Sequence, residues 1–435
     1  MPDQRSYDRS LALFAEALTL IPGGAQTTSK RPTAFAFGAY PIYFDRAEGG
    51  RVTDIDGNEY IDLVGALGPI SLGYRYPAVD DAIRDQLERG IISGLNAPAE
   101  VEVARLLREL VPCAEMARFF KGGGEATAAA ARLARRLTGR EVILNAGYRG
   151  WPDVWSAGVD PGVPKALAEA LEPFTLGDRE PLEALVMKHR GQVAAIAVDV
   201  STEWPGDDYL PWLRDLADEI GALLIFDEIV TGFRLARGGL QEYGGVAPDL
   251  AVFAKGIANG MPLAALVGRA KVMRELEGAM VSITYGGEAL SLAAARATME
   301  IYRDEPVIET LHARGRQLRE GLTTAARKVG LPFEAIGFDP MTAMRFSGLD
   351  AELERDAWGF VLQEMATRGV LLRRGGLNFV SYSHTEADID AVVAAAREVF
   401  AELAPLVQEG GDAVRQRLRI RAVDTGFRSF AGRSR

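Results

Sequence analysis

Between about residues 78 and 300 the chain alternates amphipathic helical stretches with short apolar runs, and no other feature narrows the possible folds as much. The runs are RFF (118–120), VILN (142–145), AAIAVDV (194–200), LLIF (223–226), LAVF (250–253) and LAALVG (263–268). Continuous apolar runs belong to strands covered on both faces, and strands separated by helix-length segments pair side by side in parallel. The alternation therefore predicts an α/β domain, over 61–299, with a mostly parallel sheet and helices on both faces. Ahead of it the pattern shows a helix at about 6–19, a break at IPGG (21–24), and a hairpin over VTDIDGNEYID (52–62) turning at Asp56-Gly57. Beyond about 300 it is α+β: helices over 290–302 and 306–328, strands at 343–346 and 378–383, and a helix over 386–403. Residues 1–60 and 300–435 are expected to form one smaller domain.

The chain has 435 residues, 48% hydrophobic and 25% charged, enough to bury a sizeable core. A formal net charge of -11 opposes nucleic acid and anionic membrane surfaces as partners. Cys113 is the only cysteine, which excludes an internal disulfide and a multi-cysteine metal site. His189, His312 and His384 show no metal-ligand spacing, so no metal is expected. The N-terminal MPDQRSYDRSLALFAEAL is charged through its first half, and no run reaches the ~18 apolar residues of a membrane span. A cytoplasmic protein is the expectation. The basic end, with Arg415, Arg417, Arg419, Arg421, Arg428, Arg433 and Arg435, reads as a solvated helix end and terminus.

Two charged residues leave buried strands: Asp227 closes LLIF, and Lys255 follows LAVFA. Each has a bland reading, Asp227 as a helix cap and Lys255 as a solvated loop lysine. In open α/β sheets, however, ligands lie outside the carboxyl ends of the strands. Together the pair can hold an aromatic cation between a charge partner and an amine, as pyridoxal phosphate chemistry requires. KGGGEA (121–126) joins a strand to an Ala-rich helix, where glycine lets the backbone approach an anion and the helix start offers N–H donors. It lacks the Lys-Ser/Thr of an ATP-binding loop, so it suits a single phosphate or is simply a tight turn. In AGYRGWPD (146–153), Tyr148 can stack on a flat ring or line the core rim, and Trp151 reads as packing.

Taken together, IPGG, the DIDGNEYID hairpin, GGGEA, the GYRG turn, LLIFDEIVTGFR, PDL (248–250), AKGIANGMP (254–262), SITYGGEALSLAAA (282–295) and SHTEADID (383–390) resemble the class III aminotransferases. The likeness runs from about 20 to 400 in the family's order and is closest to the glutamate semialdehyde aminomutase branch. It implies a fold type I, aspartate aminotransferase-like homodimer with a seven-stranded mostly parallel sheet, a small α+β domain and shared active sites. It further implies that Lys255 binds pyridoxal 5'-phosphate as a Schiff base and that Asp227 pairs with the pyridine nitrogen. By the same likeness Ile229 packs on the ring, Tyr148 stacks on it, Gly123 and Gly124 belong to the phosphate loop, and Thr284 reaches the phosphate in the partner subunit. An amino-acid donor and an oxo acceptor are the implied small-molecule partners.

The chain also departs from that family. Gly122 and Gly124 stand where serine and threonine are usual, Arg149 replaces the histidine of a Tyr-His-Gly turn, and Asp199 and Val200 replace a Glu-Pro. The aminomutases carry a glutamate near Gly376, and none is present. Glycines at 375 and 376 are expected to leave room for a bulkier or polar substrate, with Arg149, Arg373 or Arg374 binding its carboxylate or hydroxyls. The competing reading for the last two is solvent-facing arginines at a strand start, and His384 is expected to hold a structural hydrogen bond. The expected activity is transfer of an amino group to a ketone or aldehyde, an oxo sugar among them. An aminomutase or epimerase, or a non-catalytic homologue, is the alternative.

Overall fold

The computed structural model describes residues 5–156 and 160–419. The chain divides into two compact units, one formed by residues 68–71 and 77–308, the other by residues up to 67, 72–76 and from 309 onward.

The first unit is built on seven strands: β1 (Met116–Phe120), β2 (Val142–Ala146), β3 (Leu171–Pro173), β4 (Val193–Val198), β5 (Leu223–Glu228), β6 (Leu250–Phe253) and β7 (Ala264–Gly268). They lie in the order β1-β7-β6-β5-β4-β2-β3. β2 to β6 are mutually parallel, while β7 runs antiparallel to both β6 and β1, so every strand except β7 ends at one common edge. The apolar runs become strands because both faces are covered: β4 and β6 are buried along their whole length. β3 is the strand that the apolar pattern does not reveal. It is a three-residue edge strand, LEP, half-exposed and closed by a proline, as an edge allows.

The helix Gly123–Thr138 packs across β4, β6 and β7, and its alanines let it approach the sheet closely. Ala126, Ala130, Leu133 and Ala134 meet Ile143, Ala195, Ile225, Val252 and Leu266 in one core, in which a fully buried leucine or isoleucine contributes about 1.5–3 kcal/mol.

The second unit contains a four-stranded sheet of Phe44–Glu48, Arg51–Asp54, Glu59–Asp62 and Val370–Leu371, and a three-stranded sheet of Phe333–Phe338, Met341–Phe346 and Leu377–Phe379. The hairpin turns where expected, with Gly57 at a φ of 91°. The helix Ala351–Thr367, with Trp358 against Phe333 and Phe346, lies between the strands and helices that the pattern marked. That helix gives the basic end partners, while Arg415, Arg417 and Arg419 remain exposed as expected. Arg415 pairs with Asp356 at 3.1 Å and Arg419 with Glu364 at 3.0 Å. Arg421, Arg428, Arg433 and Arg435 lie outside the described residues. No described helix is long and apolar enough to cross a membrane, and no described cluster of His, Cys, Asp and Glu is arranged to hold a metal.

Candidate active site

Parallel pairing sets the geometry at the common edge. Ala146, Val198, Phe226 and Ala251 are level with one another across four strands, so Gly147, Asp199 and Asp227 stand one step beyond them in a row. Lys255 follows just past the end of β6.

Asp227 is buried, and its Oδ1 accepts the N–H of Ile229 at 3.0 Å. Burial pushes its carboxyl up to about 7, helped by the like charge of Asp199 and opposed by Arg149, that Ile229 hydrogen bond and Lys255. Lys255 therefore lies close enough for its charge to reach Asp227. It opens a short 3-10 turn, Lys255–Ala258, with a φ of 49°, and Asn259 closes the turn at 42°. A left-handed lysine costs on the order of 1–3 kcal/mol, a strain that clusters at functional positions. The Asn259 side chain steadies the turn by accepting the N–H of Ser71 at 3.1 Å.

The glycine turn lies at the end of β1. Glu125 reaches back over it, accepting the N–H groups of Lys121 and Gly122 at 3.0 Å each. The helix begins at Gly123, and first-turn amides such as those of Gly123 and Gly124 have no acceptor within their own helix. A Cβ on Gly123 would lie 2.5 Å from Cδ1 of Ile229, so glycine is required there for close packing. At Gly122 the nearest atom to such a Cβ is 3.8 Å away, so the missing hydroxyl at that position is a chemical departure from the family and not a steric necessity.

Arg149 is not the open substrate-binding group that the sequence suggested. Its guanidinium is buried: Nη2 donates to the Ala146 carbonyl at 2.6 Å, Nη1 donates to that of Tyr148 at 3.1 Å, and Nη1 stands 3.5 Å from Oδ2 of Asp227. Tyr148 beside it is half-exposed and follows Gly147, whose φ is 93°. Asp199, one of the departures from the family that the sequence shows, stands one residue past β4, level with Asp227, and approaches so near that a Cβ on Gly147 would be 2.7 Å from its own.

Thr284 is exposed and lines a recess of about 570 Å³ with Ile92, Leu95, Val101, Phe119 and Phe120. The same segment is tied to the glycine turn, since Lys121 Nζ pairs at 2.8 Å with Glu288, which caps the helix Ala289–Asp304. Arg373 and Arg374 belong to the other unit. Arg373 is buried, and the space over Gly376 is not open as expected: a Cβ there would lie 3.0 Å from Cζ of Arg373, so the guanidinium fills it. His384 has the structural role expected of it, with Nδ1 accepting the Ser381 N–H at 2.9 Å and burial lowering its pKa to about 4. Glu228 is a buried acid that the sequence did not mark. It accepts the N–H groups of Leu240 and Gln241 at 2.7 and 3.0 Å and the hydroxyl of Thr231.

The cluster of Gly123, Asp227, Ile229 and Lys255 suits pyridoxal phosphate: helix-start amides for a phosphate, a buried acid for a pyridinium nitrogen, an apolar side chain for the ring and an amine for the aldehyde. Comparison with known proteins points the same way. The chain is 35% identical over 412 residues to the 3-aminobutyryl-CoA aminotransferase of Cloacimonas acidaminovorans, covering 93% of this chain and 99% of that protein. It is 36% identical over 425 residues to the glutamate-1-semialdehyde 2,1-aminomutase of Desulforapulum autotrophicum, covering 91% and 99%. The FumI protein of Sphingopyxis sp. MTA144, solved with pyridoxal phosphate, superposes with a TM-score of 0.87 at 29% identity over 92% of this chain and 98% of that one. The class-III aminotransferase profile matches residues 35–150 and 165–394, and the chain belongs to that family of pyridoxal phosphate-dependent enzymes.

Proposed function

We propose that this enzyme moves an amino group from an amino-acid donor to a separate ketone or aldehyde acceptor. The observation that carries the reading is the strained, left-handed Lys255 held beside the buried Asp227 at the strand ends. Bound there, pyridoxal phosphate supplies an aldehyde to receive the amino group and a ring to accept the electrons left when a substrate carbon loses its proton. Lys255 Nζ takes that proton and returns it. Asp227 keeps a proton on the ring nitrogen, Ile229 and Tyr148 cover the two ring faces, and the amides of Gly123 and Gly124 receive the phosphate.

Transfer between two molecules is favoured over the aminomutase reaction because a guanidinium, that of Arg373, fills the space above Gly376, where the aminomutases carry a carboxylate. Arg373, with Arg374, is accordingly assigned to a substrate carboxylate or other anionic group. The similarity to the 3-aminobutyryl-CoA enzyme favours an acceptor with its oxo group at carbon 3 of an acyl chain, ahead of an oxo sugar. The enzyme works as a homodimer in the cytoplasm, with the exposed Leu95, Val101, Met280 and Tyr285 covered by a second copy and Thr284 offered to that copy's phosphate. Incubation with glutamate and a panel of oxo acceptors tests the reaction: one oxo acid formed per amine made supports transfer, whereas turnover of an amino aldehyde with no donor present overturns it in favour of the mutase.

A further inference from the structure

The guanidinium of Arg149 is bound on two sides by carbonyls of its own loop, those of Ala146 and Tyr148, and its third neighbour is Oδ2 of Asp227. The two side chains are only 2% and 5% exposed, so water does little to screen them. The charged groups that act on Asp227 are Arg149 from the loop after β2, Asp199 from the end of β4 and Lys255 from the end of β6. Of the two cations, Lys255 is the one the reaction occupies. Asp199 works against ionisation, and its own buried Oδ1 has no hydrogen-bond partner among the described residues. Arg149 is thus the permanent positive charge of the cluster, fixed in place by backbone and not by the acid it serves.

We propose that Arg149 is a positioning residue that favours the ionised form of Asp227 against its burial and presents the carboxylate to the cofactor's ring nitrogen before the cofactor enters. The proposal rests on the reading that Asp227 is the ring-nitrogen partner. A protonated carboxyl in that place cannot take up the pyridinium, so without Arg149 cofactor capture waits on an alkaline shift. An opposite charge within about 4–6 Å lowers a carboxyl pKa by roughly 1–3 units, and its removal raises it by the same amount.

The test is equilibrium binding of pyridoxamine phosphate to the full chain stripped of cofactor, from mildly acidic to mildly alkaline buffer. That probe has the same ring and phosphate but cannot form an imine with Lys255, so the titration of the lysine imine does not enter. R149M should move the midpoint of the pH–affinity curve upward by roughly 1–3 units, R149K should restore most of the shift, and R149Q gives the same comparison where R149M fails to fold. A midpoint that stays put or moves downward in the neutral variants overturns the proposal, as does failure of R149K to restore it. D227N, measured alongside, should bind weakly at every pH. Wild-type affinity in D227N would instead remove the assignment of Asp227 beneath the proposal.

Discussion

Gly123 packs beneath Ile229 so closely that a β-carbon on the glycine would stand 2.5 Å from Cδ1 of the isoleucine. The contact joins the proposed phosphate loop to the residue expected to cover the ring, so the two halves of the cofactor pocket are set by one van der Waals surface.

Substitution at the two neighbouring glycines should therefore split sharply. G123A forces Ile229 aside and should cost about 1–3 kcal/mol of stability together with cofactor retention. G122S should fold as the parent does, since nothing lies nearer than 3.8 Å to its new carbon, and its hydroxyl should hold the cofactor at least as tightly. Thermal melting and cofactor content after dialysis read both.

Lys255→Gly and Lys255→Ala should both abolish transfer while differing in stability. At a φ of 49° an alanine keeps the steric strain and a glycine relieves it, so the glycine variant should be the more stable by about 1 kcal/mol. Urea denaturation of the two variants without cofactor gives the comparison, and equal midpoints would show that the turn relaxes.

The buried Asp227 makes stability depend on pH in a defined direction. Its folded pKa of about 7 lies above the 3.8 usual for an aspartate, so the folded chain binds the extra proton between those two values. The stability that this proton contributes is present below the lower value and is lost as pH rises through the upper one. D227N never ionises. Without cofactor, its unfolding free energy, followed by urea denaturation, should gain on that of the wild type as pH rises from about 4 to about 7, by on the order of a few kcal/mol at most. Glu228, also raised to about 7, persists in both proteins and cancels in the difference.

Leu95, 84% exposed, and Tyr285, 59% exposed, belong to the face assigned to a second copy of the chain. Leu95→Glu combined with Tyr285→Glu should halve the particle mass in light scattering and remove activity with it, because Thr284 then has no partner site to complete. A monomeric wild type would refute the assignment.

Much of this architecture is legible in the sequence, and the reason is physical. VILN, LLIF and LAVF are strands covered on both faces, and such strands have little choice but to be apolar throughout. Asp227 and Lys255 stand out because each is the first charge after such a run. The edge strand Leu171–Pro173 lacks that burial and so lacks the signal. The inward turn of Arg149 is hidden for a different reason. An arginine between Tyr148 and Gly150 in a loop looks exposed, and only the turn of the backbone at Gly147 shows the guanidinium folding inward onto Asp227. The fate of the space over Gly376 was equally hidden, since it depends on how a side chain three residues earlier folds back.

The strand order has one more effect. Gly123 precedes Lys255 by more than a hundred residues, yet β1 and β6 flank the same antiparallel strand, β7, which is the last of the seven to be made. A ribosome must release the chain well past residue 268 before the glycine turn and the lysine are held in a common frame. On the proposed assignment, cofactor held by both would act as a latch on the assembled sheet, deepening the folded state by mass action.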